Sequence, residues 1–251
     1  QSGTPTLRIR DHYDAPSQTY TLTLQQHTPA TPDQAEKQPL HVPLAYALYD
    51  TRDQPLQVTP RGDVLHRPGL LELRAEEHVV RFEGLAQRPL ASFLQGLSAP
   101  ARLDFDYSAA ELGRLIRIER IPLCRWDAVQ QLATRVILQT RDEDTRTLID
   151  AFGTLIQDRT LDPAFVSLCM ALPEPGMLID CAEQVDIEAL LASRKHLQDQ
   201  LAVAHHSVLI ARFEELDAQQ PDSLDASAIA ARRLKGACLH WLARVELDGA
   251  R

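Results

Sequence analysis

The stretch Thr19-Tyr-Thr-Leu-Thr-Leu24, which continues as Gln-Gln-His-Thr-Pro-Ala-Thr-Pro-Asp-Gln-Ala-Glu-Lys-Gln-Pro-Leu-His-Val-Pro-Leu44, decides the fold of the first part of the chain. Its opening residues alternate polar and apolar side chains, which is typical of a strand with one buried face. The four prolines that follow lack the N–H group that a central strand must donate, so we predict an extended, exposed link at an edge or crossover. Glu36 and Lys37 in this link are candidates for contact with a neighbouring domain, and simple solvation is the alternative.

The same alternation recurs in other short segments before residue 108. These segments are Leu7–Arg10, Val42–Tyr49, Leu71–Arg74, Val79–Phe82 and Leu103–Tyr107, with Leu90–Phe93 as a weaker candidate. Turn sequences separate them at Asp14–Ser17, Asp50–Asp53, Thr59–Gly62 and Arg67–Gly69. Six or seven short strands in about 105 residues are typical of an immunoglobulin-like antiparallel β-sandwich.

The hydrophobic period changes near Tyr107, where apolar residues begin to recur every three or four positions. Ser108-Ala-Ala-Glu111 has the form of a capping box and predicts the start of a helix. We therefore predict two domains, a β-sandwich over residues 1–106 and an α-helical superhelix over residues 107–251. The second domain is expected to stack helical hairpins in the manner of a solenoid, although no repeat of fixed period is visible.

Further helix signals follow along the second domain. An apolar stripe that includes Trp126 predicts one helix, a second is expected from about Thr145, and Asp162-Pro163 marks the start of the next. A short helix from Met177 to Cys181 is expected after a Pro-Gly breaker. From Asp186 the pattern predicts the longest helix, of about thirty residues, before a last helix that begins near Ile229.

Composition restricts the class of partner. The 251 residues carry a formal net charge of −9, which repels phosphate backbones and anionic lipid, so we expect no nucleic acid and no membrane partner. No apolar run approaches the ~20 residues that span a bilayer. The cysteines lack a Cys-x-x-Cys spacing and lie mostly in apolar helical patterns, which predicts reduced thiols and a cytoplasmic location. These cysteines are Cys124, Cys169, Cys181 and Cys238.

Residues that could carry chemistry do not form a recognisable site. His205 and His206 are adjacent, hence about 100° apart on a helix, and do not point to one metal ion. Ser98 lies in Gly96-Leu-Ser-Ala-Pro100, which lacks the second glycine of a nucleophile elbow and predicts a turn. The acids Asp142–Asp144 are explained by capping and by the helix dipole. We therefore predict no catalytic, cofactor-binding or metal-binding residue in this chain.

Several motifs of the chain resemble those of the bacterial aminopeptidase N family of zinc metallopeptidases (gluzincins). The resemblance is carried by Gln1-Ser-Gly-Thr-Pro5, by Thr19–Leu44, by Arg125-Trp-Asp-Ala128 and by Ala237-Cys-Leu239. The sequence departs from the family at Lys235-Gly236, where the family usually has Arg-Asn. The family's catalytic signatures, a His-Glu-x-x-His helix and a Gly-x-Met-Glu-Asn strand, are absent from these residues.

The resemblance implies a role within a larger enzyme. In that family a β-sandwich and a C-terminal helical domain follow the catalytic zinc domain, and this chain is expected to hold the sandwich and only the first part of the helical domain. The parent protein is expected to hydrolyse N-terminal residues, alanine favoured, from short peptide substrates, with its zinc ligands and catalytic groups in the upstream catalytic domain. This chain is then expected to be inactive alone and to space and cap the active-site cavity.

The first residues bear on the alternative interpretation. Gln1-Ser-Gly-Thr-Pro5 enters a family motif partway through, which suggests a truncated piece rather than a native N-terminus. The alternative is a stand-alone protein-interaction module that binds a partner through a sheet edge or a helical face.

Overall fold

The computed structural model describes residues 2–139, 141–181, 186–218 and 223–249. The chain divides into two compact units, Gln1–Tyr107 and Ser108–Arg251. Each unit has its own buried apolar core, which we describe separately.

The first unit is a β-sandwich. Its described residues form nine strands in two sheets, with the orders β4-β7-β2-β1-β9 and β5-β6-β3-β8. The strands are β1 (Thr6–Asp14), β2 (Thr19–His27), β3 (Val42–Tyr49), β4 (Arg61–Gly62), β5 (Leu65–Arg67), β6 (Leu70–Leu73), β7 (Glu77–Phe82), β8 (Leu90–Phe93) and β9 (Arg102–Asp104).

Alternation along the strands builds the core of this unit. In β2 the side chains of Tyr20, Leu22 and Leu24 are almost fully buried, whereas the intervening threonines are only partly covered. Phe82 of β7 joins the two sheets, since its ring centroid lies 6.3 Å from that of Tyr20 and 5.6 Å from that of Tyr46 in β3. The predicted immunoglobulin-like sandwich is thereby confirmed.

Two details of the sheets differ from the sequence prediction. β9 ends at Asp104 rather than at Tyr107, and it pairs with β1 in parallel, so the sandwich is not purely antiparallel. Thr59–Gly62 is not only a turn, because Arg61–Gly62 forms β4 beside β7, and β5 was not predicted at all. Both strands are short and their side chains are exposed, so they lack the buried alternation on which the prediction depended.

The second unit is helical, as predicted. Its described residues form eight α-helices: α1 (Ala109–Ile118), α2 (Pro122–Gln139), α3 (Asp142–Gln157), α4 (Pro163–Cys169), α5 (Pro175–Cys181), α6 (Ile187–Ala204), α7 (His206–Ala218) and α8 (Ala226–Gly249). The predicted capping box at Ser108 and Glu111 is present, with both reciprocal hydrogen bonds. Asp162 caps α4 through its carboxylate, as predicted. Asp186, where a helix was predicted to begin, caps α6 in the same way.

The helices of this unit pack around one apolar core. α2 and α3 contact α1, and α8 packs against α4, α6 and α7. The side chains at the centre of these contacts are almost fully buried, and they include Leu132, Phe152, Leu201, Leu209 and Leu234. Burial of such side chains contributes about 1.5–3 kcal/mol each, so this packing, rather than helix propensity, stabilises the unit.

The prediction of one helix of about thirty residues from Asp186 was wrong. α6 ends at Ala204, and His205 has a non-helical backbone with φ −113° and ψ 17° before α7 begins at His206. The ring of His205 is drawn towards α3, where its Nε2 atom lies 2.8 Å from the carbonyl oxygen of Ile149. A contact between residues 56 positions apart therefore breaks the helix, and α8 is longer than either half.

Candidate functional site

The histidines and acids of the chain are dispersed over the fold. Among the described residues, no group of three or more histidine, cysteine, aspartate or glutamate side chains is placed to hold a metal ion. The described residues therefore do not offer the set of ligands that a zinc ion needs. None of the described helices has the length and apolarity to span a membrane.

His78 is the most deeply buried histidine of the sandwich, and its surroundings give it a structural role. Its Nε2 atom accepts hydrogen bonds from the backbone N–H groups of Arg74 and Ala75, at 3.0 and 3.1 Å. The proton must therefore be on Nδ1, which faces the carboxylate of Asp63 at 3.6 Å. The imidazole closes the connection between β6 and β7 rather than offering a lone pair to a ligand.

Ser98 lies in a tight turn, as predicted. Leu94, Gly96 and Leu97 have φ angles of 53°, 62° and 53°, in the left-handed region that favours glycine. The hydroxyl oxygen of Ser98 accepts a hydrogen bond from the N–H group of Ala45 at 3.0 Å. This serine stabilises the turn against β3 and does not have the arrangement of a nucleophile.

The acids Asp142–Asp144 form the first turn of α3, which begins three residues earlier than predicted. Asp144 is 3% exposed and its carboxylate lies 3.2 Å from Nη2 of Arg135 in α2. A buried carboxylate needs such a partner because the loss of water is costly for a charge. The cluster therefore joins α2 to α3 and places acids at the end of α3 where the helix dipole favours them, as expected. The expected capping is not observed, because Arg141 occupies the N-cap and its side chain makes no capping hydrogen bond.

Arg125, in the motif Arg125–Ala128, closes the end of α1. Its Nε donates to the carbonyl oxygen of Glu119 at 2.8 Å, and its Nη2 donates to that of Arg117 at 3.2 Å. The last carbonyl groups of a helix lack intrahelical partners, and a guanidinium satisfies them well. This motif therefore fixes the connection between α1 and α2, while Trp126 is half-buried beside it.

The motif around Cys238 lies in α8. Cys238 is fully buried, whereas Gly236 is exposed and has no atom within 4 Å of the position that a Cβ would take. Lys235 pairs with Asp217 of α7, and its ammonium lies 5.5 Å from the centre of the Phe213 ring. Lysine here makes a cross-helix contact, and the open site at 236 has room for the asparagine that the resemblance predicts.

Lys37 in the proline-rich link contacts two residues of its own loop and Ser2 near the start of the chain. Its ammonium donates to Thr31 Oγ1 at 2.7 Å, to Gln34 Oε1 at 3.2 Å and to Ser2 Oγ at 3.4 Å. Thr31 and Gln34 also exchange two backbone hydrogen bonds. These acceptors match the three N–H donors of a lysine, so the side chain stabilises a closed loop.

One charged cluster was not predicted from the sequence. The carboxylate of Glu215 in α7 lies 3.0 Å from Nη1 of Arg212 and 2.7 Å from Nη2 of Arg159, which follows α3. Burial raises the pKa of Glu215, but the hydrogen bonds and charges of the two guanidinium groups outweigh this effect and leave the pKa below its usual value. No spacing rule indicated the cluster, because Arg159 is far away in sequence.

Apolar side chains remain exposed on several helices of the second unit. Met177 of α5, Ile187 and Leu191 of α6, and Leu239 of α8 are each between 46% and 56% exposed. Ile187 and Leu191 are four residues apart and share one face of α6. Single exposed apolar residues are ordinary, but several on neighbouring helices are typical of surfaces that another part of a protein covers.

Comparison with known families matches both units. Residues 3–106 match the family model DUF3458, which is described as a domain of unknown function with an Ig-like fold. Residues 109–251 match the family model DUF3458_C, which is described as a domain of unknown function with ARM repeats. A crystal structure of Legionella pneumophila aminopeptidase A in complex with aspartic acid has a similar fold, with a TM-score of 0.82 and 21% identity, over 99% of this chain and 28% of that one.

Two curated relatives share more of the sequence. Aminopeptidase N of Escherichia coli is 34% identical over 97% of this chain and 28% of its own length. Aminopeptidase N of Haemophilus influenzae is 30% identical over 98% of this chain and 29% of its own length. The chain thus spans less than a third of these relatives. It belongs to the aminopeptidase N family, and it is homologous to the C-terminal portion of these proteins.

Proposed function

We propose that this chain is the noncatalytic C-terminal portion of a zinc-dependent aminopeptidase, in which it spaces and caps the cavity where peptides bind. The observation that carries the proposal is the similarity to aminopeptidase N over nearly the whole of this chain and under a third of the relatives. The zinc ligands and the general base belong to an upstream catalytic domain in this proposal. The substrates are short peptides, whose N-terminal residue is released by a zinc-bound water.

The surfaces of the chain support a role as scaffold. The sequence motifs shared with the family have structural roles. Arg125 caps the end of α1, Lys37 stabilises the loop in which it lies, and Cys238 is buried in the core of the helical unit. The exposed apolar residues of α5, α6 and α8 are suited to burial by further parts of the parent protein.

The test compares the parent protein with this chain. We expect the purified full-length protein to contain zinc, to release nitroaniline from L-alanine p-nitroanilide, and to lose this activity to a chelator. We expect the 251-residue chain to be inactive with or without added zinc. A full-length product that contains no zinc and hydrolyses no peptide would contradict the proposal and favour an interaction module.

A further inference from the structure

A buried histidine holds the connection between β6 and β7 in the first unit. The side chain of His78 is 6% exposed, and its Nε2 atom accepts hydrogen bonds from the backbone N–H groups of both Arg74 and Ala75. A ring nitrogen accepts a hydrogen bond only while it carries no proton of its own. The closed form of this connection therefore requires the neutral imidazole.

The other ring nitrogen is placed for the opposite charge state. In the neutral ring Nδ1 carries the proton, and it has no hydrogen-bond partner among the described residues. It faces the carboxylate of Asp63 at 3.6 Å, which is too long for a hydrogen bond but close enough for an electrostatic interaction. Asp63 lies in the exposed connection between β4 and β5, and its negative charge favours an imidazolium over a neutral ring. The surroundings of the two nitrogens thus favour different charge states.

The charged side chains of the adjoining segments are directed elsewhere. Arg74 donates from Nη2 to Glu72 at 2.8 Å, and the side chains of Glu76 and Glu77 are exposed. β2, the strand beside the histidine, places the uncharged Leu24 opposite it. The aspartate of the β4–β5 connection is therefore the group that answers a charge on the ring.

An uncharged side chain holds the same connection from its carbonyl side. Gln26 of β2 is buried, and its Nε2 donates to the carbonyl oxygens of Ala75 and Leu40 at 2.8 and 2.9 Å. Its Oε1 accepts the N–H group of Leu40 at 2.9 Å. An amide side chain does not titrate, so these bonds persist when the histidine takes up a proton. Loss of the histidine bonds should therefore open one side of the connection and leave the sandwich folded.

We propose that His78 is a pH-sensitive switch of the β6–β7 connection. The neutral ring holds the connection closed, and protonation in mild acid releases the N–H groups of Arg74 and Ala75 while the charged ring pairs with Asp63. With a second proton on the ring, Nε2 and both N–H groups are donors, so neither hydrogen bond can remain. The switch lies within the sandwich, and the proposal does not depend on peptidase activity.

The test is amide hydrogen exchange, followed by NMR on the 251-residue chain, together with the nitrogen shifts of the imidazole. Histidine side chains in general change charge between about pH 8 and pH 5, so the measurements cover that range. We expect the protection factors of the Arg74 and Ala75 amides to fall on the order of tenfold, as loss of one hydrogen bond each predicts. The fall should share its midpoint with protonation of the His78 ring, and the Leu40 amide should keep its protection.

Three results of this experiment would overturn the proposal. The first is a His78 ring that stays neutral over the whole range. The second is a ring that becomes protonated while both amides, of Arg74 and Ala75, keep their protection. The third is a parallel loss of protection at Leu40, which indicates general unfolding rather than a local switch.

A variant that does not titrate identifies the sensor. In His78→Gln the amide oxygen can accept the same two N–H groups without taking up a proton, so both amides should stay protected over the whole range. His66→Gln is the matched control, because it makes the same change at an exposed position of β5, and it should keep the pH dependence of the unmodified chain. A pH-dependent loss of protection that persists in His78→Gln would assign the switch to another group. Circular dichroism checks the fold of each variant, and the titration of the unmodified chain decides the matter even if His78→Gln does not fold.

Discussion

The imidazole of His205 lies against the backbone of Gly153, so that a Cβ atom added to Gly153 would come within 2.5 Å of His205 Cε1. The ring cannot easily move away, because its Nε2 atom is bonded to the carbonyl oxygen of Ile149 and its centroid lies 5.9 Å from that of Phe152. Glycine at this position of α3 therefore makes space for the break between α6 and α7.

We expect Gly153→Ala to lower the free energy of unfolding by about 1–3 kcal/mol, as overpacking of a buried contact does. The added methyl group must displace the imidazole and break its hydrogen bond to Ile149. Urea unfolding followed by circular dichroism measures the difference. In a double-mutant cycle with His205→Ala, the cost of Gly153→Ala should largely disappear, and an undiminished cost would show that His205 is not its cause.

Gly236 in α8 provides the opposite case. Its Cβ position is open and solvent-exposed, so no contact opposes a side chain there. Glycine in a helix interior is less favourable than alanine by roughly 0.5–1 kcal/mol, and we expect Gly236→Ala to stabilise the chain by about that amount. The same urea experiment checks it, and a loss of stability would mean that the helix makes a contact at this position that the structure does not show.

Much of the local structure could be predicted from the sequence, because its causes are local. Three helices begin where the sequence predicted, at Ser108 (with Glu111), at Asp162 and at Asp186. These starts are predictable because a capping side chain bonds to an N–H group only three residues away. The two-residue period of β2 and the helical period of α2 reflect which face of each element is buried. The residues that impose these features lie within the segments that they shape.

Features that depend on distant residues could not be predicted. The break at His205 depends on Ile149, and the parallel pairing of β9 depends on β1, which lies at the other end of the sandwich sequence. The pairing of Glu215 with Arg159 arises because α7 meets the connection after α3, and no motif in the sequence indicates that meeting. Periodicity identifies buried faces, but it does not determine which faces come together.

Arg125 offers a test of the structural role of its motif. Arg125→Met keeps the length of the side chain but removes both hydrogen bonds to the carbonyl groups at the end of α1. We expect the free energy of unfolding to fall by about 1–3 kcal/mol, mainly because the partly buried carbonyl oxygen of Glu119 loses its donor. The control is Arg120→Met, at an exposed position nearby, which should have little effect. Equal effects of the two variants would argue against the cap.

The cysteines should differ strongly in reactivity. Burial raises the pKa of the Cys169 thiol to about 12 and that of Cys238 to about 11, so that both are protonated and inaccessible near neutral pH. Cys181 is exposed, and we expect it to react with iodoacetamide at pH 8 while Cys169 and Cys238 do not. Mass spectrometry of the labelled peptides measures this order, and prior unfolding in urea should abolish it. Rapid labelling of Cys169 in the folded chain would contradict the burial of its thiol in α4.

The ion pairs that join β9 to β1 should make stability depend on pH in acid. Arg8 Nε lies 2.8 Å and Arg10 Nη1 3.2 Å from the carboxylate of Asp104. The hydrogen bond from Arg8 is the main reason that the pKa of Asp104 lies below its ordinary value. A carboxyl group with a lowered pKa stabilises the fold above its unfolded pKa of about 3.9, and this contribution is lost as the pH falls through the folded pKa.

We therefore expect Asp104→Asn to reduce the free energy of unfolding at pH 7 by less than about 1 kcal/mol, as is usual for exposed pairs. The difference between this variant and the unmodified chain should shrink as the pH falls below about 4, where Asp104 of the unfolded chain takes up a proton, and should vanish below the lowered pKa of the folded state. Urea unfolding at pH 7, 5 and 3 tests the trend, with Asp106→Asn, two residues beyond the end of β9, as the control. A difference that stays constant over this range would show that the carboxylate charge of Asp104 does not stabilise the parallel edge of the sheet.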